Sequence, residues 1–159
     1  MTINVISVGK IKEASLRSLI GEYEKRISKF SKVISTEIKD LASENSASEA
    51  DKLNVINQEG QLILNKISER DYVIALAIEG DSLTSEQFSA QMDKAFISGG
   101  SKIVFIIGGS LGLSNDVKDR ADKLLSFSNF TFPHQLMKLI LLEQIYRAFK
   151  IKNNEPYHK

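Results

Sequence analysis

The chain reads as an α/β protein whose parallel sheet is covered by helices on both faces. Two observations predict this class. Strand-like and helix-like segments alternate from the first residue to about Lys150, and two of the strands, YVIALAI (Tyr72–Ile78) and IVFII (Ile103–Ile107), are continuous apolar runs. A strand that is apolar on every residue is buried on both sides, which is the habit of parallel sheets sandwiched between helices. A length of 159 residues fits one domain, 1–159, large enough to bury roughly 70% of its unfolded surface.

Each element has its own signal. Thr2–Val8 is β-rich and weakly alternating. From about Glu13, the residues Leu16, Leu19, Ile20, Tyr23, Ile27 and Phe30 recur at helical spacing and predict an amphipathic helix. Lys32–Ile38 sets Val33, Ser35 and Glu37 against Ile34, Thr36 and Ile38, a strand with one wetter face. Asp40–Asp51 is rich in Ser, Ala, Glu and Asn without periodicity and predicts a mobile loop. A second helix spans Ser48–Ile67, with Leu53, Ile56, Ile63 and Ile67 on its apolar side. After the strand at Tyr72–Ile78, Thr84 with Gln87 three residues on resembles a capping box and opens a helix to Ile97. The apolar strand Ile103–Ile107 then runs into Gly108-Gly109-Ser110-Leu111-Gly112, with a helix start expected at Ser114. A last helix covers Pro133–Lys150, with proline favoured near its start.

Composition excludes several classes. Hydrophobic residues make up 42% and charged residues 26%, ordinary for a globular protein, and no apolar run approaches the length of a membrane span. The start, MTINVISVGK, lacks a basic region and a small-residue cleavage site, so no signal peptide is expected and the cytoplasm is the expected setting. The absence of cysteine removes disulfides, thiolate ligands and a thiol nucleophile. A net charge of +1 gives no global attraction to nucleic acid. RNA contact would need local patches, for which Lys25, Arg26, Lys29 and Lys32 on one helix, and Arg147, Lys150, Lys152 and Lys159 near the end, are candidates.

In parallel α/β sheets, ligands bind beyond the carboxyl ends of the strands. Those ends are Gly9-Lys10, Glu79-Gly80-Asp81 and Gly108-Gly109. The Gly108–Gly112 turn is neither a P-loop, since no Lys-Ser or Lys-Thr follows, nor a GxGxxG fingerprint. It is open between a ligand loop and a plain tight turn. FSNFTF (Phe127–Phe132) is likewise open between an aromatic core strand and a loop that wraps a flat heterocycle.

In the final helix Leu136, Leu139, Ile140, Leu141, Leu142, Ile145, Tyr146 and Phe149 spread around nearly the whole circumference. A helix apolar all round needs cover all round, so a homodimer packed through it is expected. Glu143 and Arg147 sit i,i+4 on its narrow polar stripe, either as a supporting pair or as a site feature. His134 and His158 are the only histidines, with no carboxylate cluster beside them, so no metal site is expected; His134 reads as structural. The terminal Tyr157-His158-Lys159 is either a frayed end or a functional tail that reaches a neighbouring subunit.

VISVGKIKE, EYEKRI, FIIGGSLG, LLSFSNFTFPHQLMKLILLEQIYRAFKI and the closing EPYHK together resemble the ribosomal large subunit pseudouridine N3-methyltransferases, of the SPOUT class of trefoil-knotted methyltransferases. The resemblance covers essentially the whole chain apart from Asp40–Asp51 and is strongest from Ile103 onward. It implies a SPOUT-type parallel sheet with a C-terminal trefoil knot, helices on both faces and a homodimer. It implies S-adenosyl-L-methionine as cofactor, contacted by Leu76, Gly108, Phe127, Ser128, Asn129, Phe130, Thr131 and Phe132. The implied substrate is N3 of a pseudouridine in the helix 69 stem-loop of 23S rRNA, met on the assembled 70S ribosome. In that setting His158, delivered with Tyr157, would position or deprotonate the base, and Arg147, oriented by Glu143, would contact the target nucleotide. Two other readings stay open: a nucleotide-binding α/β enzyme that uses Gly108–Gly112 for phosphate, and a non-catalytic ribosome-binding module.

Overall fold

The computed structural model describes residues 1–42, 48–98, 100 and 102–157. Ten elements follow one another: β1 (Thr2–Val8), α1 (Ala14–Ile27), β2 (Lys32–Ile38), α2 (Glu49–Leu64), β3 (Tyr72–Ser82), α3 (Ser85–Ser98), β4 (Lys102–Ile107), α4 (Asn115–Arg120), β5 (Lys123–Ser126) and α5 (His134–Lys152). The five strands form one sheet in the order β2-β1-β4-β3-β5, with every neighbouring pair parallel. The predicted α/β class holds, and the two apolar runs are the central strands β3 and β4.

The sheet's two faces are covered separately. Ile3 and Val5 of β1, Ile74 of β3, and Ile103 and Phe105 of β4 join α1, α3 and α5 in the larger core. The alternate residues Ile6, Val8, Val73, Val104 and Ile106 join Ile63 of α2 and Val117 of α4 in the smaller one. This is the period-2 consequence of strands buried on both sides.

Caps follow the sequence signals. Thr84 and Gln87 form the expected capping box, with the Gln87 N–H donating to Thr84 Oγ1 at 3.2 Å and the Thr84 N–H donating to Gln87 Oε1 at 2.9 Å. Ser48 and Ser114 each accept a hydrogen bond from the backbone N–H three residues on.

Several expectations need adjustment. Leu19 and Leu53, placed on apolar helix sides, are 49% and 57% exposed, because their helices cover the sheet with narrower stripes than the pattern suggested. The second helix ends at Leu64, short of Ile67. Of the loop expected over Asp40–Asp51, residues 43–47 lie outside the described residues, and Glu49–Asp51 are already helical. Pro133 sits at the N-cap of α5 rather than inside its first turn. β5 was not foreseen as a strand: KLLS is too short for any period to show.

α5 lies against both α1 and α3, with ring contacts from Phe30 (5.3 Å between centroids) and Phe96 (6.4 Å) to Phe149. Much of the all-round cover that this helix requires therefore comes from its own chain. Among the described residues, no helix is long and apolar enough to cross a membrane.

Candidate active site

The β3 strand runs on past its expected end at Ile78, and the way it does so builds a pocket wall. Leu76 pairs with Leu125 of β5, and Asp81 pairs with Leu125 again, so residues 77–80 leave the ladder and loop outward. Gly80 makes the return possible, since a Cβ there would stand 2.6 Å from the backbone of Leu124 and Leu125. The second wall is the Gly108–Gly112 turn at the end of β4. It closes on itself through a Gly112 N–H to Gly109 carbonyl bond of 3.1 Å, with Gly112 at φ +88°, a conformation suited to glycine. The third wall is the irregular segment 127–133 between β5 and α5, where the Phe130 N–H donates to Ser128 Oγ at 3.0 Å. The loop reading of FSNFTF is the one the structure adopts.

Together these walls enclose a cavity of about 730 Å³ at the carboxyl ends of β3, β4 and β5. That volume suits a ligand of cofactor size. Leu76, Gly108, Phe127, Ser128, Phe130, Thr131 and Phe132, all singled out from the sequence, line it; Asn129 is in the same loop but not in the lining. Sequence reasoning missed Ala77, Ile78 and Glu79 on the bulge, Lys118 of α4, and His134 and Met137 at the start of α5. Only Glu79 carried a signal, its place at a strand end. Glu79 pairs with Lys118 at 2.5 Å, and this bond holds its carboxyl below the usual range. His134, read as structural, lines the same cavity.

Behind the glycine turn stands Glu59 of α2, 2% exposed. It accepts the Leu41 N–H at 3.0 Å, and its other oxygen would lie 3.6 Å from a Cβ on Gly109. Burial, reinforced by Asp40, raises its pKa above the ordinary carboxylate value, with the Leu41 bond opposing.

A second constellation lies along α5, away from the cavity. The Arg147 guanidinium bonds Glu143 Oε1 at 2.6 Å and stacks 4.7 Å from the Tyr157 ring centre. Tyr157 donates to the same Glu143 oxygen at 3.1 Å and stands 3.5 Å from the Tyr23 hydroxyl. Tyr146 meets the Tyr157 ring edge-on at 4.9 Å. Burial, aided by the bonds to Tyr23 and Glu143, pushes the Tyr157 hydroxyl above the ordinary phenol range, and the Glu143 bond raises Arg147.

The structure thus joins Glu143, Arg147 and Tyr157 into one cluster and the cofactor candidates into another, but within one chain the two do not meet. None of the three lines the cavity. Glu143 is nine residues beyond His134, about 13 Å along the helix axis. His158, the fourth candidate, and Lys159 lie outside the described residues.

The basic residues divide as well. Lys150 pairs with Glu155 and Lys152 with Asp93, whereas Lys25, Lys29 and Lys32 are exposed. Arg26 sits 5.0 Å from the Tyr23 ring and 5.9 Å from that of Tyr146, which places the end of α1 beside the Tyr157 cluster. Among the described residues no group of three or more His, Cys, Asp or Glu could hold a metal ion.

The family described as "Predicted SPOUT methyltransferase" matches residues 1–158. Proteins named ribosomal RNA large subunit methyltransferase H are similar over the full length of both chains: one from Exiguobacterium at 55% identity, and ones from Streptococcus agalactiae and Streptococcus thermophilus at 54%. With a parallel α/β sheet, a strand-end cavity and kinship along its whole length, the chain belongs to the SPOUT methyltransferase family.

Proposed function

We propose that this protein methylates N3 of a pseudouridine in the helix 69 stem-loop of 23S rRNA on the assembled ribosome, with S-adenosyl-L-methionine as donor. The observation that carries this reading is the strand-end cavity, formed from a bulge, a glycine turn and a phenylalanine loop. The names of the relatives supply the substrate class, ribosomal RNA of the large subunit. The cavity's chemistry fits the cofactor: apolar side chains of Leu76, Phe127 and Phe132 can flank a flat heterocycle, while the backbone of Gly108 and of the 127–132 loop can read its edge. When bound, the cofactor supplies an electrophilic methyl group on sulfur.

The chain's own residues have the remaining tasks. The N3 imide proton must leave, and the ring must be held in line with the methyl group. Glu143 fixes the Arg147 guanidinium, and in this reading Arg147 contacts the target nucleotide or its phosphate. Tyr157 and His158 position the base. Because that cluster stands away from the cavity of its own chain, the site is completed by a second copy, whose tail and α5 approach the first copy's pocket. Leu136 and Ile140, one turn apart on α5 and outside the core of their own chain, suit such an interface. The exposed Lys25, Lys29 and Lys32 supply phosphate contacts despite a net charge of only +1. The same reading takes 1–159 as one domain with a C-terminal trefoil knot and the cytoplasm as its setting.

Against a phosphate-binding enzyme stands the helix after the glycine turn, which is six residues long, has its Val117 N–H taken by Ser114, and carries Asp116 in its first turn. Titration calorimetry with S-adenosylmethionine, and methyl transfer to 70S ribosomes compared with protein-free rRNA, test the proposal. Lack of cofactor binding would sink it, and binding without transfer would favour a non-catalytic ribosome-binding role. Mass spectrometry of 23S rRNA from cells lacking the protein identifies the nucleotide. Sedimentation velocity reads the dimer.

A further inference from the structure

The segment after α5 does not trail away from the helix but doubles back along it. Tyr157 lies against Tyr146, Arg147 and Glu143, roughly one to three turns before the helix end at Lys152. A reversal this short needs a specific backbone turn.

The turn is made at Asn154, which has φ +52° and is, among the described residues, the one non-glycine in the left-handed region. A side chain in that region costs energy, and asparagine bears the cost better than most residues. The hydrogen bonds around it follow from this conformation. The Asn154 N–H donates to the Ile151 carbonyl at 3.0 Å, and the Glu155 N–H donates to the Lys150 carbonyl at 2.9 Å. This is the bonding of a Schellman motif, in which the last carbonyls of a helix are satisfied by a chain that reverses over them. An apolar contact frequently joins the two outer residues of that motif. Here those residues are Lys150 and Glu155, and they form an ion pair. Pro156 follows; its ring fixes its own φ and disfavours helical backbone at Glu155, so the helix does not resume.

Beyond the turn, Tyr157 is anchored on two helices. Its hydroxyl donates to Glu143 of α5 at 3.1 Å and stands 3.5 Å from the hydroxyl of Tyr23 on α1, while its ring meets Tyr146 edge-on. Little of this serves the interior. Asn154 and Pro156 are exposed, and Tyr157 belongs to neither core. A turn held this firmly outside the core, through an asparagine in a costly conformation, points to a shape required by function.

We propose that Asn154 and the Lys150–Glu155 pair are positioning residues for methyl transfer: they set the reversal that holds Tyr157 in place before ribosomal RNA arrives. This rests on the reading that Tyr157 and His158 act on the target base. The physical content is preorganisation. A segment ordered only on binding loses its conformational entropy at that moment, whereas one already folded back does not. Asn154, Lys150 and Glu155 do not line the cavity and act through Tyr157.

The test compares N154V, whose β-branched side chain opposes the left-handed region, with N154G, which accepts it. Expected for N154V is faster hydrogen exchange at the amides of Asn154, Glu155 and Tyr157. Its kcat on 70S ribosomes should fall by about 10- to 100-fold. Its KM for ribosomes and its affinity for S-adenosylmethionine should stay within about twofold of wild type. N154G restores both protection and kcat. E155K breaks the ion pair and lowers kcat by less, and the charge-swapped K150E/E155K recovers it; this pair decides the matter if N154V fails to fold. Wild-type kcat in a folded N154V or in E155K overturns the proposal, as does a loss that N154G fails to restore. A fall in cofactor affinity that matches the fall in kcat also overturns it, because the turn would then act on the pocket. The parent reading fails separately, if Y157A/H158A methylates ribosomes as wild type does.

Discussion

The cavity at the strand ends and the cluster on α5 are built in opposite ways. The cavity is concave, walled by apolar side chains and exposed backbone, and Phe130 on its rim is 78% exposed. The Glu143–Arg147–Tyr157 cluster is built instead from charged, hydroxyl and ring contacts between side chains, none of which lines the cavity. One Glu143 oxygen receives both Arg147 and Tyr157, the other receives Gln144 at 2.7 Å, and Arg147 lies over the Tyr157 ring. A region with room and open edges is made to take in a ligand. A charged cluster held by its own side chains and standing apart from the cavity can serve chemistry there only where another surface is brought to it. The difference teaches why the predicted site residues fall into two groups.

The sharpest way to separate the regions is to fill one of them. Gly108→Leu puts a side chain into the cavity, where even a Cβ meets Gly112 and Leu113 at 3.1 Å. Calorimetry should show cofactor affinity falling by about 100-fold or more, roughly 2.7 kcal/mol, while the Tyr157 cluster stays formed. Next in size is the reverse experiment. Arg147→Ala with Glu143→Gln should lower ribosome methylation by about 10- to 100-fold and leave cofactor affinity within about twofold, the pattern of an interaction used after cofactor binding. Loss of cofactor affinity in this variant would merge the two regions into one site.

A smaller effect is expected from Tyr157→Phe, which removes the hydroxyl bond to Glu143. It should cost about 1 kcal/mol, or roughly 2–4 °C in Tm. The folded protein holds this phenol protonated beyond the ordinary range, chiefly through burial. Its contribution is therefore complete below about pH 10, the unfolded value, and fades as pH rises from there toward the folded one. Thermal melts above that pH should decline more steeply in wild type than in Tyr157→Phe.

The smallest effect belongs to the brace behind the glycine turn. Burial raises the Glu59 pKa, so the folded state takes up a proton more readily than the unfolded chain, and stability declines as pH rises from the ordinary carboxylate value toward the raised one. Glu59→Gln can still accept from Leu41 and has no charge to bury. Its melts should be flatter with pH above the ordinary carboxylate range and higher at the neutral end, each kcal/mol being worth roughly 2–4 °C.

Where the sequence succeeded and failed follows from the range of the signals. The two continuous apolar strands and the Thr84–Gln87 box are local and are found where expected, although β3 runs on past Ile78 to Ser82. FSNFTF was open between strand and loop, because alternation of phenylalanine with small polar residues serves both. Pairing of β5 with β3 settled it by ending the strand at Ser126. The bulge at 77–80 left no local mark beyond Gly80, since it exists only because Leu125 is met twice. Glu79, Lys118 and His134 were missed as pocket residues for the same reason: each comes from a different element, and only the sheet order brings them to one cavity. The apolar circumference of α5 was read as a demand for a second copy, yet α1 and α3 meet much of it.

By itself, the sequence determined the class, a parallel α/β sheet with both faces covered, because the period and length of apolar runs report directly on burial. It also determined the family and the segments from which a pocket would be drawn, since Gly108–Gly112 and Phe127–Phe132 carry their character in consecutive residues. Only the tertiary structure decided that these segments share one cavity, and that Glu143, Arg147 and Tyr157 stand apart from it. The reason is that proximity between distant residues is set by strand order and helix packing, and neither is written in any single stretch of the chain.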